Sequence, residues 1–318
     1  MSSIFRKLFH ESQPTAHAAV VILSGLSLIT AIIYSKLPID TDNSIALSCS
    51  RLILLPALII KYPWTIVTTS WIETDALSFL LGVIVLIPCV SILEKNWGVQ
   101  DTVTFLAVSS ILPTIATALV YIILGSIYDD ARYSQAVVVN GLASIIAGFT
   151  IAFKQITPEY QVRLFGGAIF FKINNLPLVF MTIVPPLLFL FGRNSSILLL
   201  HFGIIISWVY LRFYKKNGDF RGDLSETFSF ASFFPEFIQP TARMVSHNVY
   251  QLALKLHIVP QPVEYLNISD LELGGSFETY ATELNDLETT VEAERRRNLA
   301  AKEVDSKLAQ TSSQNGPQ

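Results

Sequence analysis

The feature that most limits how this chain can fold is a series of long apolar runs with few charges inside them. Such runs, each roughly 16 to 22 residues long, recur through the first two thirds of the sequence, and about 20 helical residues cross a bilayer. The chain has 318 residues, of which 51% are hydrophobic and 15% charged, and its mean hydropathy is +0.49. This composition excludes an ordinary soluble domain and predicts an all-α polytopic membrane protein.

Six membrane spans account for the apolar runs. We place them at residues 17–37, 74–93, 103–124, 136–153, 176–191 and 195–213. They form a membrane domain over residues 17–213, preceded by a short N-terminal segment, 1–16, without the features of a cleavable signal. The stretch between Ser35 and Glu73 is apolar but broken by prolines, which predicts a loop that dips into the membrane interface.

Basic residues in the short loops give the orientation. With the N-terminus in the cytosol, ten Lys and Arg residues fall on that side and five on the other. Basic residues are enriched in cytoplasmic loops. We therefore expect both termini to be cytosolic.

The membrane character ends near Lys216, and residues 214–318 form a predicted cytosolic tail. This tail holds 10 Lys and Arg against 15 Asp and Glu, a net charge of −5, and that balance gives no indication of nucleic-acid binding. Within it we predict an amphipathic helix at about 236–258, a disordered acidic linker at 261–294 and a helix at about 293–308.

The sequence gives no indication of a metal or a cofactor. Cys49 and Cys89 are the only cysteines, and no ligands follow a metal-binding spacing. We expect neither group.

The stretch PWTIVTTSWIETDALSFLLGVIVLIPCVSILEKNWG, residues 63–98, resembles the first loop and second helix of the rhomboid superfamily. The resemblance implies a six-helix rhomboid-like bundle. Its scaffold positions are matched by Trp64, Thr68, Trp71, Glu94, Trp97 and Gly98, joined later in the chain by Gly141 and Gly203. The resemblance also implies that Glu94 holds loop and helix together, and we interpret Glu73 as a capping or loop-anchoring group.

The positions that carry chemistry in that superfamily are replaced. Ser78 and Gly82 stand where a histidine and an asparagine help to hold the oxyanion, and the loss of one such donor costs about 2.7–4 kcal/mol. In the fourth span the pattern that begins at Gly141 puts Ala143 at the nucleophile and Ser144 one residue late, a rotation of about 100° on a helix.

The sixth span has the same one-residue offset. Alignment on Gly203 and Ser207 leaves His201 one residue after the catalytic position. We therefore expect no catalytic residue, and interpret Ser144 as a packing residue and His201 as an interfacial or helix-bonding one.

Two further blocks narrow the resemblance. SWVYLRFYKKNGDFRGDLSETFSFASFFPE (207–236) and AERRRNLAAK (293–302) resemble the transmembrane protein 115 family of rhomboid-like Golgi pseudoproteases. That family implies Golgi-to-endoplasmic-reticulum retrograde transport and association with a Golgi tethering complex; the endoplasmic reticulum stays open as a second location. The blocks supply our candidates for contact with lipid headgroups or partners: Tyr210, Arg212, Tyr214, Lys215, Lys216, Arg295, Arg296 and Arg297.

Three functional classes follow from these observations. The leading one is a binding and trafficking protein that contacts the lipid bilayer, recognises membrane clients and recruits cytosolic partners, with homo-oligomerisation left open. A transporter is the second class, although the spans lack paired charges. An intramembrane serine protease with a displaced Ser144/His201 dyad is the third.

The topology gives a first testable prediction. Because six spans return the chain to the side on which it began, tags fused to either terminus should be digested by protease in sealed microsomes without detergent. Protection of the C-terminal tag alone would contradict an even number of spans.

Overall fold

The computed structural model describes residues 13–35, 51–130, 133, 137–164, 169–217, 220–223, 225–234, 238–244, 246, 293 and 295–297. Among these residues, five helical segments are long and apolar enough to cross a membrane, and a sixth apolar helix, Ala143–Ile156, is shorter. The prediction of an all-α polytopic membrane protein is confirmed. The chain divides into two compact units, Met1–Lys215 and Lys216–Gln318.

Seven helices form the spans of the first unit. They are α1 (Pro14–Ser35), α2 (Ala76–Trp97), α3 (Val99–Ile127), α4 (Ala143–Ile156), α5 (Leu176–Thr182), α6 (Val184–Leu190) and α7 (Asn194–Val209). A π-helical turn, Tyr210–Tyr214, extends α7, and an antiparallel hairpin of β1 (Gln161–Leu164) and β2 (Ile169–Lys172) follows α4. Shorter helical turns are Pro56–Leu58, Thr65–Thr68, Thr69–Trp71 and Ile173–Asn175.

The fourth span differs from the predicted range 136–153. Val139 pairs with Leu54 in an isolated β-bridge, and α4 begins only at Ala143. Gly141 adopts a φ of +104°, a conformation that glycine reaches without steric cost. The Asn140-Gly141 pair therefore ends an extended segment, and the helix is shorter than its apolar run.

The fifth predicted span, 176–191, corresponds to a helical segment, Ile173–Leu190, that is long and apolar enough to cross a membrane. Within it α5 and α6 are separated at Ile183, whose N–H still donates to the Val179 carbonyl at 2.8 Å. Pro185 and Pro186 follow directly, and proline lacks the N–H that continues a helical ladder. This span is also weakly packed, since 6% of its most apolar 18-residue window is buried.

The helices of the first unit turn apolar side chains outward and small polar ones inward. Val21 and Leu28 on α1 and Leu119 on α3 are exposed, whereas Ser109 and Thr114 on α3 are buried. Small residues allow close approach of membrane helices, and hydroxyl groups can hydrogen-bond between them. This arrangement is the one expected of a bundle surrounded by lipid.

The loop before α2 is fastened to the bundle by its main chain. The N–H of Leu54 donates to Thr69 Oγ1, the hydroxyl of Thr69 donates to the Val139 carbonyl, and Thr68 donates to the Leu52 carbonyl. Trp64 Nε1 donates to the Arg51 carbonyl at 2.7 Å. Among the predicted scaffold residues in this loop, Trp71 is 9% exposed, while Trp64 remains half exposed.

One end of the bundle, the Glu94 end, is tied together by a buried carboxylate. Glu94 Oε2 accepts a hydrogen bond at 3.1 Å from the N–H of Thr15 in the first turn of α1. Gly98, with a φ of +84°, follows α2 and donates its N–H to the Glu94 carbonyl. The first amides of a helix lack internal partners and favour negative charge. Glu94, near the end of α2, thus provides a hydrogen-bond acceptor for a main-chain amide at the start of α1.

The second unit contains a short hairpin of β3 (Lys216–Asn217) and β4 (Phe220–Arg221), followed by helical turns at Glu226–Phe228 and Phe230–Phe233. Phe228 and Phe233 are almost fully buried. Residues 239–244 are helical, but most of the predicted amphipathic helix 236–258, and all of the acidic linker 261–294 except residue 293, lie outside the described residues. The predicted helix 293–308 is described only at 293 and 295–297, which are helical.

The Glu94 contact predicts a folding defect upon its removal. Glu94→Ala would leave the buried Thr15 amide without its acceptor, at a cost of about 1–3 kcal/mol. We expect a lower melting temperature in detergent, with Glu94→Gln, which keeps an acceptor oxygen, closer to the wild type. A normal melting temperature of the alanine variant would contradict this role.

Candidate functional site

The residue at the nucleophile position lies in an apolar environment. Ala143 begins α4 and packs against a buried cluster formed by Leu54, Ala118, Tyr121, Val139 and Leu199. A methyl group there has no chemistry to offer. Alanine is accommodated because this position is part of the hydrophobic core.

Ser144 lies at a close contact between α4 and α7. The two helices pack more extensively than any other pair in the described part of the chain. A Cβ built on Gly203 would lie 2.6 Å from the Ser144 carbonyl oxygen, and one on Gly148 would lie 2.7 Å from Ser207 Oγ. Gly203 therefore lies where a side chain would meet the main chain of α4, and Gly148 lies where one would crowd the side chain of Ser207; small residues of this kind allow membrane helices to approach closely.

The displaced dyad is not assembled in this structure. Ser144 is fully buried, and its hydroxyl makes no hydrogen bond to any residue that the structure describes. His201 Nδ1 instead lies 2.7 Å from the Ile197 carbonyl of its own helix. A serine nucleophile needs its base within hydrogen-bonding distance, so Ser144 and His201 are separate features here.

The two other replaced positions are also occupied by structural contacts. A Cβ on Gly82 would lie 2.6 Å from Leu142 Cδ1, so the Leu142 side chain fills the space beside it. Ser78 Oγ accepts a hydrogen bond from Arg193 Nη1 at 2.7 Å. Gly82 has no side-chain donor, and the Ser78 hydroxyl oxygen is bonded to Arg193.

Glu73 caps the start of α4, as the sequence analysis proposed. Its Oε1 accepts a hydrogen bond at 2.8 Å from the N–H of Leu142, directly before Ala143. Its Oε2 lies 3.2 Å from Arg193 Nη2, and Arg193 Nη1 donates to Asp75 at 2.7 Å. Burial raises the pKa of Glu73, while the Leu142 amide and the Arg193 guanidinium act to lower it. We call this end of the bundle the Glu73 end.

Lys215 was expected to lie among lipid headgroups, but its side chain is buried in the first unit. Its side chain is 5% exposed, with Nζ 3.6 Å from Asp101 Oδ2. The same ammonium lies 4.6 Å from the centre of the Trp97 ring, and Trp97 packs edge to face on Phe105 at 5.4 Å. Lys215 is therefore an internal anchor of the last span, because an ion pair and an aromatic face replace its hydration.

The remaining interaction candidates divide between the two units. Tyr210 and Arg212 are partly buried, and Tyr214 and Lys216 are exposed. In the second unit, Arg295 Nη1 lies 3.9 Å from Asp223 Oδ2, while Arg296 and Arg297 are exposed. The pair between Asp223 and Arg295 joins the two sequence blocks that carried the narrower resemblance.

Arg193 is the functional residue that sequence reasoning missed. In the sequence it was only one of the five basic residues on the side opposite the cytosol, yet it contacts Glu73, Asp75 and Ser78. Acidic residues at 73 and 75, directly before a span, were the available signal. Their partner follows them by 118 and 120 residues, so no local pattern connects them.

The contact at Gly203 gives a prediction that separates packing from catalysis. Gly203→Ala should lower the melting temperature, because overpacking costs about 1–3 kcal/mol. Gly25→Ala is the matched control, since no atom of the described part of the chain lies within 4 Å of its Cβ position and alanine favours the helix by about 1 kcal/mol.

Ser144→Ala should leave the melting temperature unchanged or raise it, because the lost hydroxyl has no hydrogen-bond partner among the residues that the structure describes. A fluorophosphonate probe that labelled the wild type but not Ser144→Ala would instead identify a nucleophile.

Comparisons with known proteins agree with this architecture. Residues 15–310 match the family described as eukaryotic integral membrane protein (DUF1751). The chain is 25% identical to the human protein named transmembrane protein 115 over 252 residues, which cover 79% of this chain and 69% of that protein. It is 23% identical to the transmembrane protein 115 homolog of Saccharomyces cerevisiae over 314 residues, covering 91% and 90%. Rhomboid-like protein 19 of Arabidopsis thaliana is 24% identical over 265 residues, covering 81% and 80%.

The family match covers most of both units and includes the two sequence blocks at 207–236 and 293–302. The comparisons confirm the resemblance to the transmembrane protein 115 family. The chain therefore belongs to the eukaryotic integral membrane protein family (DUF1751).

Proposed function

We propose that this chain is a non-catalytic, rhomboid-like membrane protein of the Golgi that acts in Golgi-to-endoplasmic-reticulum retrograde vesicle transport. In this proposal the membrane domain, residues 17–213, binds membrane clients. The tail, residues 214–318, recruits cytosolic trafficking factors, among them a Golgi tethering complex. Both termini face the cytosol.

The main support for a non-catalytic role is the position of the Glu73 carboxylate at the start of α4. It accepts from the Leu142 amide directly before Ala143. An acyl-transfer site needs free donors where negative charge develops. A resident carboxylate occupies such a donor and repels a second negative charge, so the arrangement supports a scaffold role.

The described contacts also support a division of labour between core and tail. Lys215 is held inside the first unit by Asp101 and Trp97, so the membrane unit retains its own anchors up to the point where the tail begins. In the second unit the Asp223–Arg295 pair links two distant parts of the tail. Arg297 is exposed next to it in the sequence, which suits a protein partner with acidic groups.

A truncation tests this division. In cells that lack the protein, a chain that ends after Lys216 should reach the Golgi but fail to restore the rate at which a Golgi-to-endoplasmic-reticulum reporter arrives. The full-length Ser144→Ala variant is the control and should restore that rate fully. Full restoration by the truncated chain would assign the function to the membrane helices, and failure of Ser144→Ala despite normal abundance would indicate catalysis.

A further inference from the structure

The antiparallel hairpin of β1 and β2 has two faces of different character. Directly opposed residues of an antiparallel pair share a face, and neighbours along a strand alternate between the two faces. The register places four apolar residues on one face, the apolar face: Val162, Leu164, Ile169 and Phe171. It places two basic residues with a glutamine and a phenylalanine on the other, the basic face: Gln161, Arg163, Phe170 and Lys172. The hairpin is therefore amphipathic.

The base of this hairpin is fastened to the end of α4. The N–H of Ile173 donates to the Tyr160 carbonyl at 3.0 Å, which extends the ladder beyond the two strands. In the last turn of α4, Lys154 Nζ donates to the Asn174 carbonyl at 3.4 Å. Only four residues separate the end of α4 from the start of β1. The hairpin is therefore held close to the end of a membrane helix.

The hairpin lies where the first unit meets the bilayer surface. Because α4 begins at the Glu73 end, the hairpin that follows it lies at the opposite end, the Glu94 end. Among the described elements the two strands pack extensively only on each other, and a two-stranded hairpin alone is marginally stable in water. In the next segment, Ile173–Leu190, 6% of the most apolar window is buried. The hairpin thus adjoins a part of the chain that is left largely to lipid.

We propose that the hairpin is a lipid-binding element, whose apolar face lies in the bilayer surface at the Glu94 end and whose basic face binds acidic headgroups. Amphipathic helices bind membranes with the same division, apolar residues at the acyl boundary and basic residues among the headgroups. Charge complementarity favours acidic lipid, because residues 161–172 include two basic residues and no acidic one. Lipid binding stands independently of transport, and the predicted orientation decides only which leaflet the hairpin contacts.

The accessibility of nitroxide labels tests this proposal in the full-length chain in lipid nanodiscs. After replacement of Cys49 and Cys89 by alanine, a label is attached at Val162 on the apolar face or, in a separate sample, at Gln161 on the basic face. Both leaflets of a disc have the same composition, so the result does not depend on orientation. We expect the Val162 label to be accessible to oxygen, which dissolves in lipid, and shielded from a neutral water-soluble nickel reagent. The Gln161 label should be accessible to nickel.

Two outcomes would overturn insertion of the apolar face. Equal nickel accessibility of the labels at Val162 and Gln161 would place that face in water. Low accessibility of the Val162 label to both oxygen and nickel would mean that protein, either another part of this chain or a second copy, covers it. If Val162→Cys does not fold, Phe171→Cys, its partner in the register, takes the label instead.

The basic face predicts a dependence on acidic lipid. Nickel accessibility of the Val162 label should fall when phosphatidylserine is added to phosphatidylcholine discs, and Arg163→Gln with Lys172→Gln should abolish that fall. Arg51→Gln with Lys61→Gln, a matched pair of exposed basic residues outside the hairpin, should retain it.

A fall that survives in the hairpin variant, or that is lost equally in the control, would contradict headgroup binding. If the hairpin variant does not fold, salt replaces it, because salt screens exposed charges. Nickel accessibility in the acidic discs should then rise with the salt concentration, and an accessibility independent of salt would contradict the proposal.

Discussion

The bilayer offers no water to main-chain amides and carbonyls, and every interruption of a helix in this protein has to satisfy them internally. The protein does so with side chains and short extended segments. Glu94 accepts from the start of α1, Glu73 accepts from Leu142 at the start of α4, and Val139 bridges to Leu54. The loop before α2 is consequently part of the core, because it supplies partners for the short fourth helix.

Close backbone contact between α4 and α7 explains the residues found where a nucleophile and its base would lie. Gly203 meets the main chain of Ser144, and Gly148 meets Ser207. A helix surface of small residues brings these backbones together. Ser144 and Ser207 are small enough for that contact, and their hydroxyls have no hydrogen-bond partner among the described residues. Size at these positions thus matters for packing independently of any chemistry.

Charged residues within the membrane unit are concentrated at its two ends and act there as anchors. At one end Lys215 pairs with Asp101 over the Trp97 ring, and at the other Arg193 pairs with Glu73 and Asp75. A buried charge is costly unless it is paired, and removing one partner is more harmful than never having the pair. Both sets of ion pairs therefore help to determine which helix ends lie next to each other.

The sequence alone determined the class of this protein, because the hydropathy of a segment and its length decide whether it can cross a bilayer. It also indicated the role of Glu94 and the cap at Glu73, since both lie within one continuous motif at residues 63–98. The start of α4 at Ala143 was misplaced, and the separation of α5 from α6 at Ile183 was not predicted, because hydropathy does not record main-chain geometry.

Only the tertiary structure decided that Arg193 meets Glu73, and that Lys215 turns inward to Asp101. These partners are separated by more than a hundred residues, and nothing local in a sequence records which helix ends will be neighbours. Packing of the helices decides it, because an ion pair forms only where folding brings both charges to the same end of the bundle.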